Sequence, residues 1–223
     1  RPIYFAKEFT KNYIGYFSPQ FLFLKGGTQY QFSIPNAGLL YLVNLPFFYI
    51  GFFVLLKSVF KREKDSQLLL VWLLLSPIPA SITTEKFAVL RSTTILPLPE
   101  ILSVLGVFCV FEFLRKKTRL NIFIVSFLYF AAIFFFLEAY LMKYFFSYPV
   151  KYSWAWQYGY KHAVQYVTEN YSKYDKIIFT KKYGEPHEYV LFYSAWNPSK
   201  YINDPYLIRF GKSNWFWVDG FDK

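Results

Sequence analysis

The sequence predicts a mainly α-helical, polytopic membrane protein with about four transmembrane helices, followed by a small extracytoplasmic α/β domain. Hydrophobic residues make up 55% of the chain and charged residues only 17%, whereas a soluble domain carries roughly 25% charge. Long apolar stretches lie between residues 39 and 142, and clusters of Lys and Arg separate them. Beyond residue 143 the apolar runs become short and mixed with polar residues.

Composition excludes two classes of protein. Aromatic residues make up 25% of the chain, which excludes intrinsic disorder because disordered segments contain few aromatics. Cys109 is the only cysteine, which excludes an intrachain disulfide framework. The sequence begins with Arg1 and its only methionine is Met142. We therefore expect this chain to be part of a longer polypeptide.

Residues 1–38 are predicted to form an extracytoplasmic loop with an interfacial helix. Phe5, Phe9, Tyr13 and Phe17 recur every four residues, which places their rings on one face of a helix. Such a helix lies in the plane of a membrane interface or packs as an ordinary amphipathic helix on protein, and the pattern leaves both open.

Residues 39–142 are predicted to form the transmembrane region. A helix needs about 20 mostly apolar residues to cross the hydrocarbon core. Four stretches come near this length: 39–56, 67–82, 93–114 and 120–142. The second is short and contains Pro77 and Pro79, so it is either a marginal span or a buried segment.

The charged links between these stretches predict the orientation. Links 57–64 and 115–119 are rich in Lys and Arg, whereas the middle link, 83–92, holds only Lys86 and Arg91 as basic residues. Short basic loops stay cytoplasmic. We therefore expect a multi-pass protein of the cell membrane with both ends extracytoplasmic. Cytoplasmic loops then explain the net charge of +11, and no nucleic acid is expected as a partner.

Residues 143–223 are predicted to form an extracytoplasmic α/β domain, which we expect to be truncated. A belt of aromatic residues precedes it, as at a membrane interface: Tyr140, Tyr144, Tyr148, Trp154 and Trp156. Tyr160, Val164 and Val167 have helical spacing, and Pro186 suits the first position of a further helix. Residues 176–180, 207–210 and 215–218 are predicted to be strands.

Candidate site residues concentrate in and beside the middle link: Glu85, Lys86, Arg91 and Glu100. Paired prolines on each side of the link end or bend the helices there. The fork of the Arg91 guanidinium matches phosphate oxygens, and Glu85 could orient it or hydrogen-bond a sugar hydroxyl. Glu100 falls within a predicted span, where a carboxylate indicates a functional site by default. The alternative is a solvated loop with incidental charges.

Several common signatures are absent from the sequence. There is no Walker-type loop, GxGxxG, HExxH or CxxC motif. His162 and His187 are the only histidines, which leaves little for a His-based metal site or a catalytic triad. We expect His162 at the surface and His187 in a structural role near the start of a helix.

Three groups of residues carry a resemblance to a known family. Residues 18–23, 33–35 and 38–41 resemble the block SPxFLF…HSIPGHGQLY of bacterial GT-C glycosyltransferases, which include protein mannosyltransferase-like and aminoarabinose-transferase-like proteins. Glu85, Leu90 and Arg91 match the outer-loop pattern E-x-P-H-A-L-R, whose Pro and His positions hold Phe87 and Ala88 here. Residues 156–161, 174–178 and 183–186 are similar to the outer domain of these proteins.

The resemblance implies an enzyme that moves a sugar from a polyprenyl-phosphate donor to an acceptor at the outer membrane face. The acceptor would be a glycan, a lipid or a protein, and membrane lipid would be a further partner. In this superfamily the catalytic acid is typically an Asp of the first outer loop, so it is expected upstream of this chain, the C-terminal part. A divalent metal is possible in the superfamily, but no ligand cluster here supports one, and no other cofactor is expected.

Two other functions remain in consideration. A non-enzymatic four-helix anchor could carry a ligand-binding or interaction domain at residues 143–223, although it would have no use for Glu85 and Arg91 between paired prolines. Half of a transporter is the least favoured, because transporters place charges near the midplane and often show repeats, and the sequence shows neither.

Overall fold

The computed structural model describes residues 2–212 and 215–222. The chain is mainly helical and forms two compact units, Arg1–Tyr148 and Pro149–Lys223. The division between them falls inside one long helical run, Ile122–Trp156.

The first unit contains seven α-helices within the described residues: α1 (Pro2–Gly15), α2 (Leu45–Phe60), α3 (Lys64–Leu75), α4 (Ile78–Ser81), α5 (Val89–Ser92), α6 (Leu98–Lys117) and α7 (Ile122–Met142). A π-helical segment, Gln20–Lys25, follows α1. Helix α1 has no buried residue, but Tyr13 at its end donates a hydrogen bond to the carbonyl oxygen of Leu74 at 2.7 Å. The amphipathic helix predicted from the aromatic spacing is therefore present.

Within the part of the chain that the structure describes, two helices are long and apolar enough to cross a membrane, Leu42–Phe60 and Ile122–Trp156, with mean hydropathies of 1.8 and 2.3. The segments Val89–Ile95 and Leu98–Lys117 meet the same criteria when joined, with a bend of 50° between them. Helix α3 has 12 residues and rises about 18 Å, less than the roughly 30 Å of the hydrocarbon core. Pro77 and Pro79 follow it, so the predicted stretch 67–82 is not one continuous helix. The four-span count stays a prediction.

Helices α2 and α6 cross at two glycines. A Cβ atom on Gly51 would lie 1.8 Å from the carbonyl oxygen of Leu102, and one on Gly106 would lie 1.8 Å from that of Phe47. No side chain fits either position, so the two backbones touch. Close approach through small residues is the usual way that membrane helices gain van der Waals contact without a hydrophobic driving force.

Helix α7 is apolar on all sides and none of its residues is buried. It begins at Asn121, whose Oδ1 accepts a hydrogen bond from the Phe123 N–H at 3.0 Å. The Tyr129 hydroxyl donates to Oδ1 of Asn44 at 2.9 Å, and the Phe136 ring stacks on Tyr41 with centroids 6.1 Å apart. An exposed apolar surface of this length suits lipid rather than water.

The second unit contains α9 (Gly159–Glu169), α10 (Pro186–Tyr193) and α11 (Pro198–Ile202), after the short helix α8 (Tyr148–Tyr152) of the long run. Strands β1 (Ile208–Lys212) and β2 (Trp215–Gly220) form an antiparallel pair with Phe210 opposite Trp217. The predicted strands at 207–210 and 215–218 correspond to this pair, and α10 begins at Pro186 as predicted.

The predicted strand at residues 176–180 is wrong. The segment joins no described strand ladder, although Ile177, Ile178 and Phe179 have the composition of a strand. Composition favours extended backbone, but a strand also needs a neighbour that supplies its ladder of hydrogen bonds, and the two-stranded sheet consists of β1 and β2 alone within the described residues.

Candidate functional site

The middle link, residues 83–92, lies against the segment that follows α1. Tyr16 is fully buried, and its hydroxyl accepts a hydrogen bond from the Ala88 N–H at 2.9 Å. The Tyr16 ring meets Phe21 edge-on at 5.0 Å, and Phe21 stacks on Phe87 at 5.3 Å. An aromatic cluster therefore fixes the link on the protein, with Phe87 in a left-handed conformation at φ 56°.

A glycine turn holds the other side of the link. The Thr28 hydroxyl donates to the Lys86 carbonyl oxygen at 2.6 Å. A Cβ atom on Gly27 would lie 2.3 Å from Cγ2 of Val89, so only glycine allows this approach. The Gly27 N–H donates to Oγ of Ser33 at 2.9 Å, which connects the turn to the next loop.

Two of the four predicted site residues meet in this link. Oε2 of Glu85 lies 3.2 Å from Nη1 of Arg91, and the same oxygen accepts a hydrogen bond from Nε2 of Gln29 at 2.9 Å. The Glu85 side chain is 21% exposed and that of Arg91 is 50% exposed. The carboxylate is therefore partly enclosed between two donors, while half of the Arg91 side chain faces outward. We call Gln29, Glu85 and Arg91 the arginine triad.

Lys86 contacts the aromatic cluster instead of a carboxylate. Its Nζ lies 5.1 Å from the centroid of the Phe87 ring, a cation–π distance. The side chain is exposed, so its charge stays available beside the arginine triad.

The electrostatic environment of Tyr16 reflects its burial beneath the link. Burial raises the pKa of the Tyr16 hydroxyl, while the Ala88 N–H lowers that pKa by hydrogen bonding to the oxygen. Glu85 raises the pKa further and Arg91 lowers it. Both members of the Glu85–Arg91 pair therefore act on the buried hydroxyl.

Glu100 lies elsewhere in the first unit. It occupies the first turn of α6, where a carboxylate is favourable to the helix dipole, and it lines a cavity of about 690 Å³. Glu85, Lys86 and Arg91 do not line this cavity. Its walls include Tyr41, Phe136 and Tyr140, and the Lys143 ammonium at its edge donates to the Asn36 carbonyl oxygen at 2.9 Å.

Two segments of the first resembling group, residues 18–23 and 38–41, contact each other. The Leu40 N–H donates to the Leu22 carbonyl oxygen at 2.8 Å, and a Cβ atom on Gly38 would lie 2.4 Å from the backbone of Phe23. The block of residues 18–41 therefore folds back on itself, and it lines the cavity beside Glu100 with residues 23–24, 32–34 and 36–41.

Sequence reasoning missed three polar contributors: Gln29, Tyr16 and Lys143. Gln29 follows the glycine turn at Gly26 and Gly27 closely in sequence, and no local pattern indicates that its amide reaches Glu85. Tyr16 falls outside the aromatic series spaced by four residues. Lys143 is the first charged residue after α7, and that position was the one available signal.

The described part of the chain shows no built metal site. Within residues 2–212 and 215–222, no group of three or more His, Cys, Asp and Glu side chains could hold a metal ion. His162 is exposed, and Nδ1 of His187 lies 3.6 Å from Oε2 of Glu185.

Comparison with protein-family models, with curated proteins and with solved structures finds no match to this chain.

Proposed function

We propose that the chain belongs to a membrane glycosyltransferase that moves a sugar from a polyprenyl-phosphate donor to an acceptor at the outer membrane face. The arginine triad is the observation that carries this proposal. Arg91 is oriented by Glu85 through a 3.2 Å contact, yet half of its side chain remains exposed. A cation that is held in place and still accessible suits the phosphate of a bound lipid.

The chemical role of Arg91 follows from the charge that develops during transfer. When the bond between the sugar and the phosphate breaks, the leaving polyprenyl phosphate gains negative charge. A fixed guanidinium stabilises that charge in the transition state more than in the ground state. Glu85 and Gln29 would act as positioning residues, because Glu85 contacts the guanidinium and Gln29 donates a hydrogen bond to the Glu85 carboxylate.

Lys86 and Glu100 would contribute to donor binding from two separate places: Lys86 beside the arginine triad, and Glu100 in the cavity of about 690 Å³ that the triad does not line. The exposed Lys86 ammonium adds a second positive charge beside the arginine triad. The aromatic walls of the cavity beside Glu100 suit an isoprenoid chain, and the Glu100 carboxylate suits a sugar hydroxyl. The carboxylate that activates the acceptor hydroxyl is not assigned to a residue of this chain.

The proposed topology places the middle link outside the membrane. Links 57–64 and 115–119 carry the Lys and Arg clusters and would be cytoplasmic. The chain would then cross the membrane four times: with α2, with α3 and α4 together, with α6 and with α7. An even number of crossings leaves both ends extracytoplasmic. The proline-flanked break between α3 and α4 is permitted only where irregular backbone is covered by protein or lines a wet cavity.

Donor binding tests the proposal directly. The purified chain is titrated with undecaprenyl phosphate and binding is measured by native mass spectrometry. Arg91→Ala is expected to weaken binding about 10- to 150-fold, since a hydrogen bond to a charged group contributes about 1.5–3 kcal/mol. In the full-length polypeptide the same variant should slow sugar transfer about 10²- to 10³-fold.

Arg115→Ala is the matched control, because Arg115 also pairs with a carboxylate, that of Glu112, at 3.7 Å. Arg115 lies in the last turn of α6, whereas Arg91 lies on α5, before the first turn of α6. It should bind the lipid phosphate as the unchanged protein does. Equal affinity of Arg91→Ala and Arg115→Ala would contradict the phosphate role of Arg91.

A non-enzymatic, membrane-anchored binding protein is the second candidate. The observation that favours it is a cavity of about 620 Å³ in the second unit, within the usual range for small-molecule sites. The two candidates differ in one measurement: an anchored binding protein would show no turnover with any polyprenyl-phosphate sugar.

A further inference from the structure

Two adjoining cavities occupy one side of the second unit. The larger has a volume of about 620 Å³ and the smaller about 540 Å³. Trp196, Tyr206 and Asp222 line both. The cavities are thus neighbours that share two aromatic residues and one aspartate, and we call the pair the elongated site.

The two shared aromatic side chains differ in how firmly they are held. The Trp196 ring meets Phe221 edge-on at 5.6 Å and Tyr171 at 6.5 Å, so its orientation is fixed by packing. Tyr206 is 70% exposed and leaves a ring face open. One ring is therefore a rigid wall and the other an accessible platform.

Asp204 positions both sides of the junction. Its Oδ1 accepts a hydrogen bond from the Tyr206 N–H at 2.8 Å, and its Oδ2 accepts one from the Asp222 N–H at 2.6 Å. One carboxylate thereby ties two chain segments together. This bridge keeps Tyr206 and Asp222 on the same site.

The charges along the site nearly cancel. The carboxylates come from Asp175, Asp204, Asp219 and Asp222, and the ammonium groups from Lys176, Lys181 and Lys200. Asp219 and Lys181 already form an ion pair. In a chain of net charge +11, this balance disfavours a phosphate or nucleotide ligand and favours a neutral one. Amide and hydroxyl groups of Asn197, Ser199 and Asn203 add hydrogen-bonding capacity.

We propose that the elongated site binds a neutral oligosaccharide. A sugar ring combines a flat apolar C–H face with a rim of hydroxyl groups, so it needs an aromatic platform beside carboxylates and amides. Tyr206 and Trp196 would lie against consecutive sugar rings, and Asp222 would accept hydrogen bonds from hydroxyls between them. If the chain belongs to the proposed transferase, this site indicates that the acceptor is a glycan. The assignment of the acceptor rests on the proposed function, whereas the binding of an oligosaccharide to the site does not.

Calorimetric titration with neutral tetrasaccharides of glucose, mannose, galactose and N-acetylglucosamine tests the proposal. The chain is held in lipid nanodiscs, because sugar-based detergents would compete for the site. At least one tetrasaccharide is expected to bind saturably. Tyr206→Ala should raise its Kd about five- to tenfold, the size of one lost aromatic contact, while Tyr206→Phe should retain most of the affinity.

Trp215→Ala is the matched control, because Trp215 is 75% exposed and lines neither cavity. It should leave the Kd unchanged. Absence of saturable binding by all four tetrasaccharides, or equal affinity of Tyr206→Ala and the unchanged chain, overturns the proposal. Neither result affects the loss of lipid-phosphate binding expected for Arg91→Ala, so the two proposals fail independently.

Discussion

The Tyr16 hydroxyl accepts a hydrogen bond from the Ala88 N–H at 2.9 Å, across a separation of 72 positions in the chain. Both residues are buried, so no water replaces this bond. The contact fixes the middle link on the segment after α1 and thereby sets the position from which Glu85 and Arg91 project.

Tyr16→Phe should destabilise the first unit by about 1–3 kcal/mol, since it leaves a buried N–H without a partner. The measurement is thermal unfolding in nanodiscs. Tyr4→Phe provides the control, because Tyr4 is 72% exposed and its variant should unfold as the unchanged chain does. Identical midpoints for the two variants would contradict the structural role of the Tyr16 hydroxyl.

Gly106→Ala should destabilise the crossing of α2 and α6 by about 1–3 kcal/mol, as overpacking does. The added methyl group would meet the Phe47 carbonyl oxygen at 1.8 Å, so the helices must separate. Chemical denaturation reports the loss. Gly159→Ala is the control, because nothing lies within 4 Å of a Cβ atom at that position. Equal stability of the two variants would contradict the close packing of α2 on α6.

Glu85→Gln should slow sugar transfer less than Arg91→Ala does, because the amide still contacts the guanidinium but no longer carries charge. We expect the larger change in kcat, since a displaced guanidinium affects the transition state more than donor binding. Steady-state kinetics of the full-length polypeptide separate kcat from KM. A change confined to KM would instead assign Glu85 to donor binding.

Alkaline pH should destabilise the second unit. Burial is the largest cause that raises the pKa of Tyr160 and of Tyr189 above 10.0, and their rings stack at 4.4 Å. The folded state thus favours both neutral hydroxyls, and their stabilising contribution, full below pH 10.0, declines as pH rises through the raised pKa values. Absorbance titration of phenolate should show Tyr160 and Tyr189 among the late-titrating tyrosines, and Tyr189→Phe should reduce the late-titrating absorbance by one phenolate.

The proposed topology predicts opposite accessibility of two lysines. In a Cys109→Ser background, Lys86→Cys should react with a membrane-impermeant maleimide added to intact cells, whereas Lys116→Cys should react only after lysis. Equal labelling of the two positions would contradict the assignment of the middle link to the outer face.

Local sequence patterns were sufficient for elements that depend on near neighbours. The aromatic spacing of Phe5, Phe9 and Tyr13 predicted α1. Apolar length predicted helices at 39–56 and 120–142, where the structure has α2 at Leu45–Phe60 and α7 at Ile122–Met142. The strand predicted at 176–180 failed because a strand depends on a partner elsewhere in the chain. The hydrogen bond between Gln29 and Glu85 could not be predicted for the same reason, because the two residues lie 56 positions apart in the chain.

The candidate site was predictable only in part for a related reason. Glu85 and Arg91 are six positions apart, so a short turn brings them together. Glu100 follows Arg91 closely in sequence, but the chain bends by 50° between the two residues, just before α6. Glu100 therefore lines a separate cavity. No periodicity in the sequence encodes such a bend; the prolines at 97 and 99 indicated a break without its angle.

The attachment of α7 has a consequence for how this helix can vary. Tyr129 and Phe136, which contact Asn44 and Tyr41, are seven positions apart and thus lie on one face, two turns from each other. Most of the remaining positions are exposed, although Ala139 and Tyr140 line the cavity beside Glu100. Selection would therefore conserve the identity of the residues along this narrow stripe. At most other positions of α7 it would conserve only hydrophobicity, so that Phe, Leu, Ile and Val can replace one another there.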